Sequence, residues 1–290
     1  MVATIEYIEK IIETYRKATV ANAHTEFREG NIIELKARTA AEVMVTADLH
    51  GDRKNFNAIR HLADLGKHQG RHLIVQEVCH GGPTLPTSGG CMSHTLLEDV
   101  ARMKSEFPDR VHLLMSNHEM AEFMDYPIVK NQKMLNLLFR MGLQEQYGPA
   151  LQKVREAYRP FIRTLPLGVR IEGGVWVSHT LPENVDRAGM DVTLFDRELS
   201  EEDFVENSPV FNFVWGRDFR QENADAFADK VGANILLHGH EPCPDGYDVL
   251  NTRQIILDSM GEKGSYVMLK VGEKYTQDEI VKRIKRLRKP

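Results

Sequence analysis

Residues 43–52 read VMVTADLHGD. The apolar run Val43-Met44-Val45 is too short for a helix and suits a buried strand. Asp48 and His50 follow it at once. Polar residues just past a buried strand lie at its end, where open α/β sheets place their ligands. The same arrangement recurs four times: LIVQEVCHGG (73–82), VHLLMSNHE (111–119), VWVSH (175–179) and ILLHGHE (235–241). A lone DxH is common by chance. Five strand ends in order, each carrying His, Asp, Glu or Asn, are not, because an unpaired buried charge is costly. The pattern predicts one cleft that gathers metal-ligating side chains.

Between these runs lie helical stretches at 54–66, 94–106 and 120–160, and a further short run at Ile255-Ile256-Leu257. Alternating strands and helices predict an α/β layered fold. The uneven spacing of the later strands allows a mixed sheet. Residues 120–165 form a Met- and Leu-rich helical insertion, expected to cap the site. Residues 3–38 read as helical, with Ile5, Ile8, Ile11, Ile12 and Tyr15 on one face and a second helical stretch before Thr39. The chain therefore divides into a helical extension (1–40) packed on the core, a catalytic domain (41–272) and a basic C-terminal helix (273–290). Thr276 and Glu279 fit a capping box that opens this last helix. Its end, KRIKRLRKP, carries six positive charges.

Of 290 residues, twelve are His and three are Cys (Cys79, Cys91, Cys243). No CxxC pair occurs, so neither a disulfide scaffold nor a zinc ribbon is expected. Any metal should be held by imidazole and oxygen. A net charge of −5 weighs against a nucleic-acid binder. There is no apolar signal segment and no apolar stretch of membrane-spanning length, so a cytoplasmic location away from membranes is expected. No GxSxG elbow appears, which disfavours acyl-transfer chemistry. The oligomeric state is not legible.

The motif series resembles the calcineurin-like metallophosphoesterase superfamily, whose signature runs DxH, GDxxDRG, GNHE, a lone His, then GHxH. The resemblance spans roughly residues 42–262 and is closest to the phosphoprotein phosphatase-like branch and its bacterial relatives. Phe107-Pro108 before SNHE, Leu165-Pro166-Leu167-Gly168 before His179, and Asp245-Gly246-Tyr247 after His240 support that branch. The resemblance implies a mixed β-sandwich flanked by helices, with two divalent or trivalent ions, of manganese, iron, zinc or magnesium. Asp48, His50 and Glu77 would hold one. Glu77, Asn117, His179 and His240 would hold the other. His118 would protonate the leaving group, oriented by His80, which stands in place of the family's Asp. Asn117 would also meet the substrate phosphate.

The second motif departs from the family. Its bridging Asp is Glu77, its orienting Asp is His80, and its phosphate-gripping Arg is Gly81. Arg217 or His238 is expected to replace that Arg in binding substrate. The reading is a phosphomonoesterase acting on phosphoprotein Ser/Thr or small phosphate esters. Its alternatives are hydrolysis of dinucleoside polyphosphates or other phosphoanhydrides, and a catalytically impaired protein that binds a phosphorylated ligand.

Overall fold

The computed structural model describes residues 2–288. In chain order the elements are α1 (Ile5–His24), β1 (Arg28–Glu29), β2 (Ile32–Leu35), β3 (Glu42–Asp48), α2 (Arg53–Ala63), β4 (Arg71–Gln76), α3 (Ser93–Glu106), β5 (Val111–Leu113) and α4 (Asn117–Met124). A hairpin of β6 (Val129–Lys130) and β7 (Lys133–Met134) leads to α5 (Leu135–Tyr147) and α6 (Leu151–Arg163). Then come β8 (Gly168–Ile171), β9 (Val175–Ser178), α7 (Val185–Ala188), α8 (Pro209–Trp215), α9 (Gln221–Val231), β10 (Ile235–His238), β11 (Tyr247–Val249), β12 (Gln254–Leu257), β13 (Ser265–Lys270), α10 (Gln277–Val281) and β14 (Ile284–Arg286).

Two mixed sheets form, ordered β14-β13-β3-β4-β5 and β1-β2-β8-β9-β10-β12-β11. Strand periodicity sorts their side chains. Val43, Val45 and Ile74 point into a core shared with Val177, Leu237, Leu257 and Leu269 of the other strands. Met44, Leu73 and Val75 face the helices instead. Burial on both faces is why these strands read as unbroken apolar runs. Each such side chain contributes about 1.5–3 kcal/mol when fully buried. The parallel strands β3, β4, β9 and β10 run into the loops that carry the motif residues. This is the predicted mixed sandwich flanked by helices.

Three local expectations are corrected. The second helical stretch before Thr39 is the strand pair β1–β2, because Ile33 and Leu35 alternate into the inter-sheet core. Gly30 (φ +58°) makes their turn; a Cβ there would lie 2.2 Å from the Phe195 carbonyl oxygen. The C-terminal segment is not a continuous basic helix. Thr276 and Glu279 do form the capping box, but α10 lasts five residues and β14 then pairs antiparallel with β13. Leu287 is buried, and the Arg288 guanidinium bonds Asn55 and Asp52. Lys289 and Pro290 lie outside the described residues. The insertion at 120–165 is mostly a packed layer rather than a cap. Phe139, Tyr147, Tyr158 and Phe161 are fully buried in the helical core, which α1 joins through Ile11 and Tyr15.

Candidate metal centre

Asp48 ends β3, where the ladder to β4 slips register between Val45 and Asp48. Such a bulge re-aims the side chain that follows it. The Asp48 carboxylate accepts the His240 backbone N–H, at 3.1 and 3.0 Å to its two oxygens, and so ties together the two sheets' loops. Glu77 lies just past β4 and is 2% exposed. Its Oε1 is 2.8 Å from His50 Nε2 and its Oε2 is 2.9 Å from His179 Nε2. It therefore spans the two halves of the site, as a bridging carboxylate would.

The motif backbone is unusual. His50, Glu77, His80 and His240 all have positive φ, as do Gly51, Gly81 and Gly82. Non-glycine residues in that region cost about 1–3 kcal/mol each and persist only where the surroundings impose them. The restraint is visible. Leu49 and His50 donate N–H to the Glu77 carbonyl. Glu119, fully buried on α4, accepts the backbone N–H groups of Val78 (2.9 Å) and Cys79 (2.8 Å) and is bonded by the Ser116 hydroxyl. Gly82 packs so closely that a Cβ would sit 2.6 Å from the Gly51 carbonyl oxygen.

His179 Nε2 shows what the cluster is built for. Within 3.0 Å of it lie Asn117 Oδ1 (2.8 Å), Glu77 Oε2 (2.9 Å) and His240 Nδ1 (3.0 Å). A neutral imidazole nitrogen carries either one proton or one lone pair and so cannot bond all three of these partners. Glu77 Oε2, His179 Nδ1 and His240 Nε2 are buried without a hydrogen-bond partner. Lone pairs that face one another in a buried site fit a cation, and donors at about 2.1 Å from one ion lie at such mutual distances. A second trio, His50, Glu77 and His118, also gathers its donor atoms within 4.8 Å. The donor set is imidazole and oxygen, suited to borderline or hard divalent ions.

Charge is balanced tightly here. Burial alone would raise the Glu77 carboxyl, but His118, His50 and His179 hold it well below the usual carboxylate range. Burial and the Glu77 charge push Asp48 up to about 7. Burial works against a charged His50, yet Glu77 and Asp48 lift it to about 9. Burial holds His118 well below the ordinary imidazole value, against the pull of Glu77.

The predicted site residues are mostly gathered here. Asp48, His50, Glu77, Asn117, His118, His179 and His240 converge. Asp48 stands slightly apart, 3.7 Å from His179 Nδ1 and outside both trios. His80 reaches His118, Nδ1 to Nδ1 at 3.0 Å. Arg217 is half exposed beside the cleft, its Nε 2.5 Å from Glu241 Oε1. His238 is corrected: it is 1% exposed, bonds the Ser178 carbonyl (3.1 Å) and packs near Phe227, so it faces the α9 layer rather than substrate. Its burial lowers it to about 4. Sequence reading missed Glu119 and Glu122. Both lie on α4 just after His118, and the i, i+4 spacing of His118 and Glu122 was the available signal.

A family profile described as calcineurin-like phosphoesterase matches residues 41–244. A solved protein serine/threonine phosphatase from Saccharomyces cerevisiae, described as similar to human phosphatase PP5, superposes with a TM-score of 0.69 at 15% identity, covering 96% of this chain and 86% of that one. A cold-active protein-tyrosine phosphatase of a psychrophilic Shewanella species does so with a TM-score of 0.56 at 13% identity, covering 86% and 80%. At such identities the likeness is one of fold. No curated protein matches the sequence. Among the described residues, no helix is long and apolar enough to cross a membrane. The chain belongs to the calcineurin-like phosphoesterase family and is a metal-dependent phosphoesterase.

Proposed function

We propose that this cleft hydrolyses phosphomonoesters, on phosphoprotein Ser/Thr side chains or small phosphate esters. The observation that carries the reading is the set of buried lone pairs converging on His179 Nε2 beside a carboxylate that spans to His50. Asp48, His50 and Glu77 would hold one ion, and Glu77, Asn117, His179 and His240 would hold the other. When bound, two such ions activate a water and offset the charge that develops at phosphorus. Manganese, iron, zinc and magnesium all suit these donors.

The chain's own residues do the rest. His118 Nε2 lies 3.8 Å from Glu77 Oε1, at the edge of the ion site, and donates its proton to the departing ester oxygen. His80 behind it fixes the ring. Arg217 supplies the positive charge that Gly81 cannot, and Asn117 adds a polar contact to phosphate oxygens. Glu241 pairs with the Arg217 Nε, its Oε1 2.5 Å away.

The test is metal content together with turnover. Purified protein loaded with each of the four metals should cleave a chromogenic phosphomonoester faster than a diester or a dinucleoside tetraphosphate. His118→Asn should keep its metal and lose rate, most for poor leaving groups. Absence of turnover with every metal would remove the enzyme reading. A His118→Asn protein emptied of metal would show that His118 is a ligand rather than the acid.

A further inference from the structure

His118 has a second partner behind His80. His80 lies between two residues of α4 spaced by one turn, His118 and Glu122. Its Nδ1 is 3.0 Å from His118 Nδ1, and its Nε2 is 3.5 Å from Glu122 Oε2. His80 is 1% exposed and Glu122 is fully buried. His80 Nε2 and Glu122 Oε2 are both buried without a hydrogen-bond partner, and each is the polar atom that faces the other across this short gap. The other carboxylate oxygen, Oε1, accepts the Tyr158 hydroxyl at 2.5 Å, and Arg155 Nε stands 4.0 Å from it.

We infer that Glu122 is a positioning residue for the acid, acting through His80 to fix which nitrogen of His118 faces the reaction. This rests on the reading of His118 as the acid. The argument is one of hydrogen-bond direction. An ionised carboxylate only accepts. If the His80 proton sat on Nδ1, the Nε2 lone pair would face Glu122 Oε2 in a site closed to water. Two buried acceptors left facing each other would each forfeit the hydrogen bond that water gives them in the unfolded chain. The proton therefore sits on Nε2 and points to Glu122. That leaves a lone pair on His80 Nδ1, which takes the Nδ1–H of His118. His118 Nε2 is then the nitrogen that exchanges its proton at the cleft. The acting form of His118 carries a proton on each nitrogen, a form that burial disfavours and that a negative phosphate in the cleft would favour; as the phosphorus–oxygen bond to the leaving group breaks, the ester oxygen takes the Nε2 proton, and His118 ends neutral with its Nδ1–H still on His80.

The chain Glu122–His80–His118 explains how the second motif works without the family's Asp. A carboxylate still orients the acid, one imidazole further away and supplied by α4. Tyr158 of α6 holds that carboxylate in place, which gives the helical insertion a part in the site.

Two readouts test this. In wild-type protein, with and without metal, the ¹⁵N shifts of the histidine rings should show His80 protonated on Nε2 and bare on Nδ1. A proton on His80 Nδ1 would overturn the proposal, with no variant needed. In Glu122→Gln, Tyr158 keeps the amide oxygen and the NH₂ faces His80. The His80 proton should move to Nδ1. Turnover of an alkyl phosphate should fall on the order of 10²-fold, the scale of lost acid catalysis. A nitrophenyl ester, which needs little protonation, should lose far less, with KM and metal content unchanged. An equal loss for both esters would refute the relay. His118→Asn, run beside it, separates the two claims: if it shows no dependence on leaving group, the acid reading falls; if it does and Glu122→Gln does not, only the relay falls.

Discussion

The Arg that the family resemblance leads one to expect at Gly81 can be introduced, and the structure predicts that doing so does harm. Gly81 has φ +119°, a conformation L residues rarely adopt. A Cβ there would lie 2.9 Å from the His50 carbonyl oxygen and 3.1 Å from His50 Cβ. Neither atom is the far end of a flexible chain, and His50 is itself held at positive φ between the His80 carbonyl and Glu77. The backbone strain alone costs about 1–3 kcal/mol. Gly81→Arg should therefore lower stability by at least that amount, shift His50 and weaken the first ion site. Gly81→Ala should cost nearly as much, because the clash comes from the Cβ and not from the guanidinium. Urea unfolding of the metal-free proteins gives the stability difference, and metal analysis gives occupancy. If Gly81→Ala unfolds with the wild type while Gly81→Arg raises turnover, the loop is more pliable than argued and Arg217 is not the substitute cation.

Other perturbations follow from the same contacts. Asp48→Asn and His179→Asn should each lower metal occupancy, read by elemental analysis, while the fold survives in circular dichroism. Glu119→Ala leaves two buried backbone N–H groups unpaired, at about 1–3 kcal/mol each, and should loosen the 77–82 loop in hydrogen exchange. Glu98 tests pH dependence away from the site. Burial raises its carboxyl to about 7, although the Tyr147 and Tyr7 hydroxyls donate to it. A raised folded-state value means that the folded protein binds more protons than the unfolded one. Stability should then fall as pH rises from about 4.5 to about 7 and level off above, by about 3 kcal/mol. Glu98→Gln should flatten that slope in urea unfolding at pH 5 and pH 8.

Much of this was legible in the sequence because the strands are buried on both faces and the ligands follow them directly. Val43–Val45 with Asp48 and His50, or Val175–Val177 with His179, show element and site in one stretch. What escaped had weaker local signals. The strand pair β1–β2 hides in a charged stretch and is set by Ile33 and Leu35 docking between the sheets. The strand β14 reads as a basic helix end, and only pairing with β13 makes it a strand. His238 looked like a site residue because it shares a motif with His240, yet its ring turns to the opposite layer. Glu122 gave only its one-turn spacing from His118 as a signal, since its role depends on His80, more than forty residues away in sequence.

The central claim is that Glu77 spans two ions, with His118 outside both coordination shells. Crystals grown with manganese, with diffraction collected at the metal's absorption edge, test it directly. The account predicts two anomalous peaks on either side of Glu77. One should be held by Asp48 and His50 and the other by Asn117, His179 and His240, with His118 left bonded to His80. A single peak coordinated by His118, or none in protein that still cleaves phosphate esters, would contradict it.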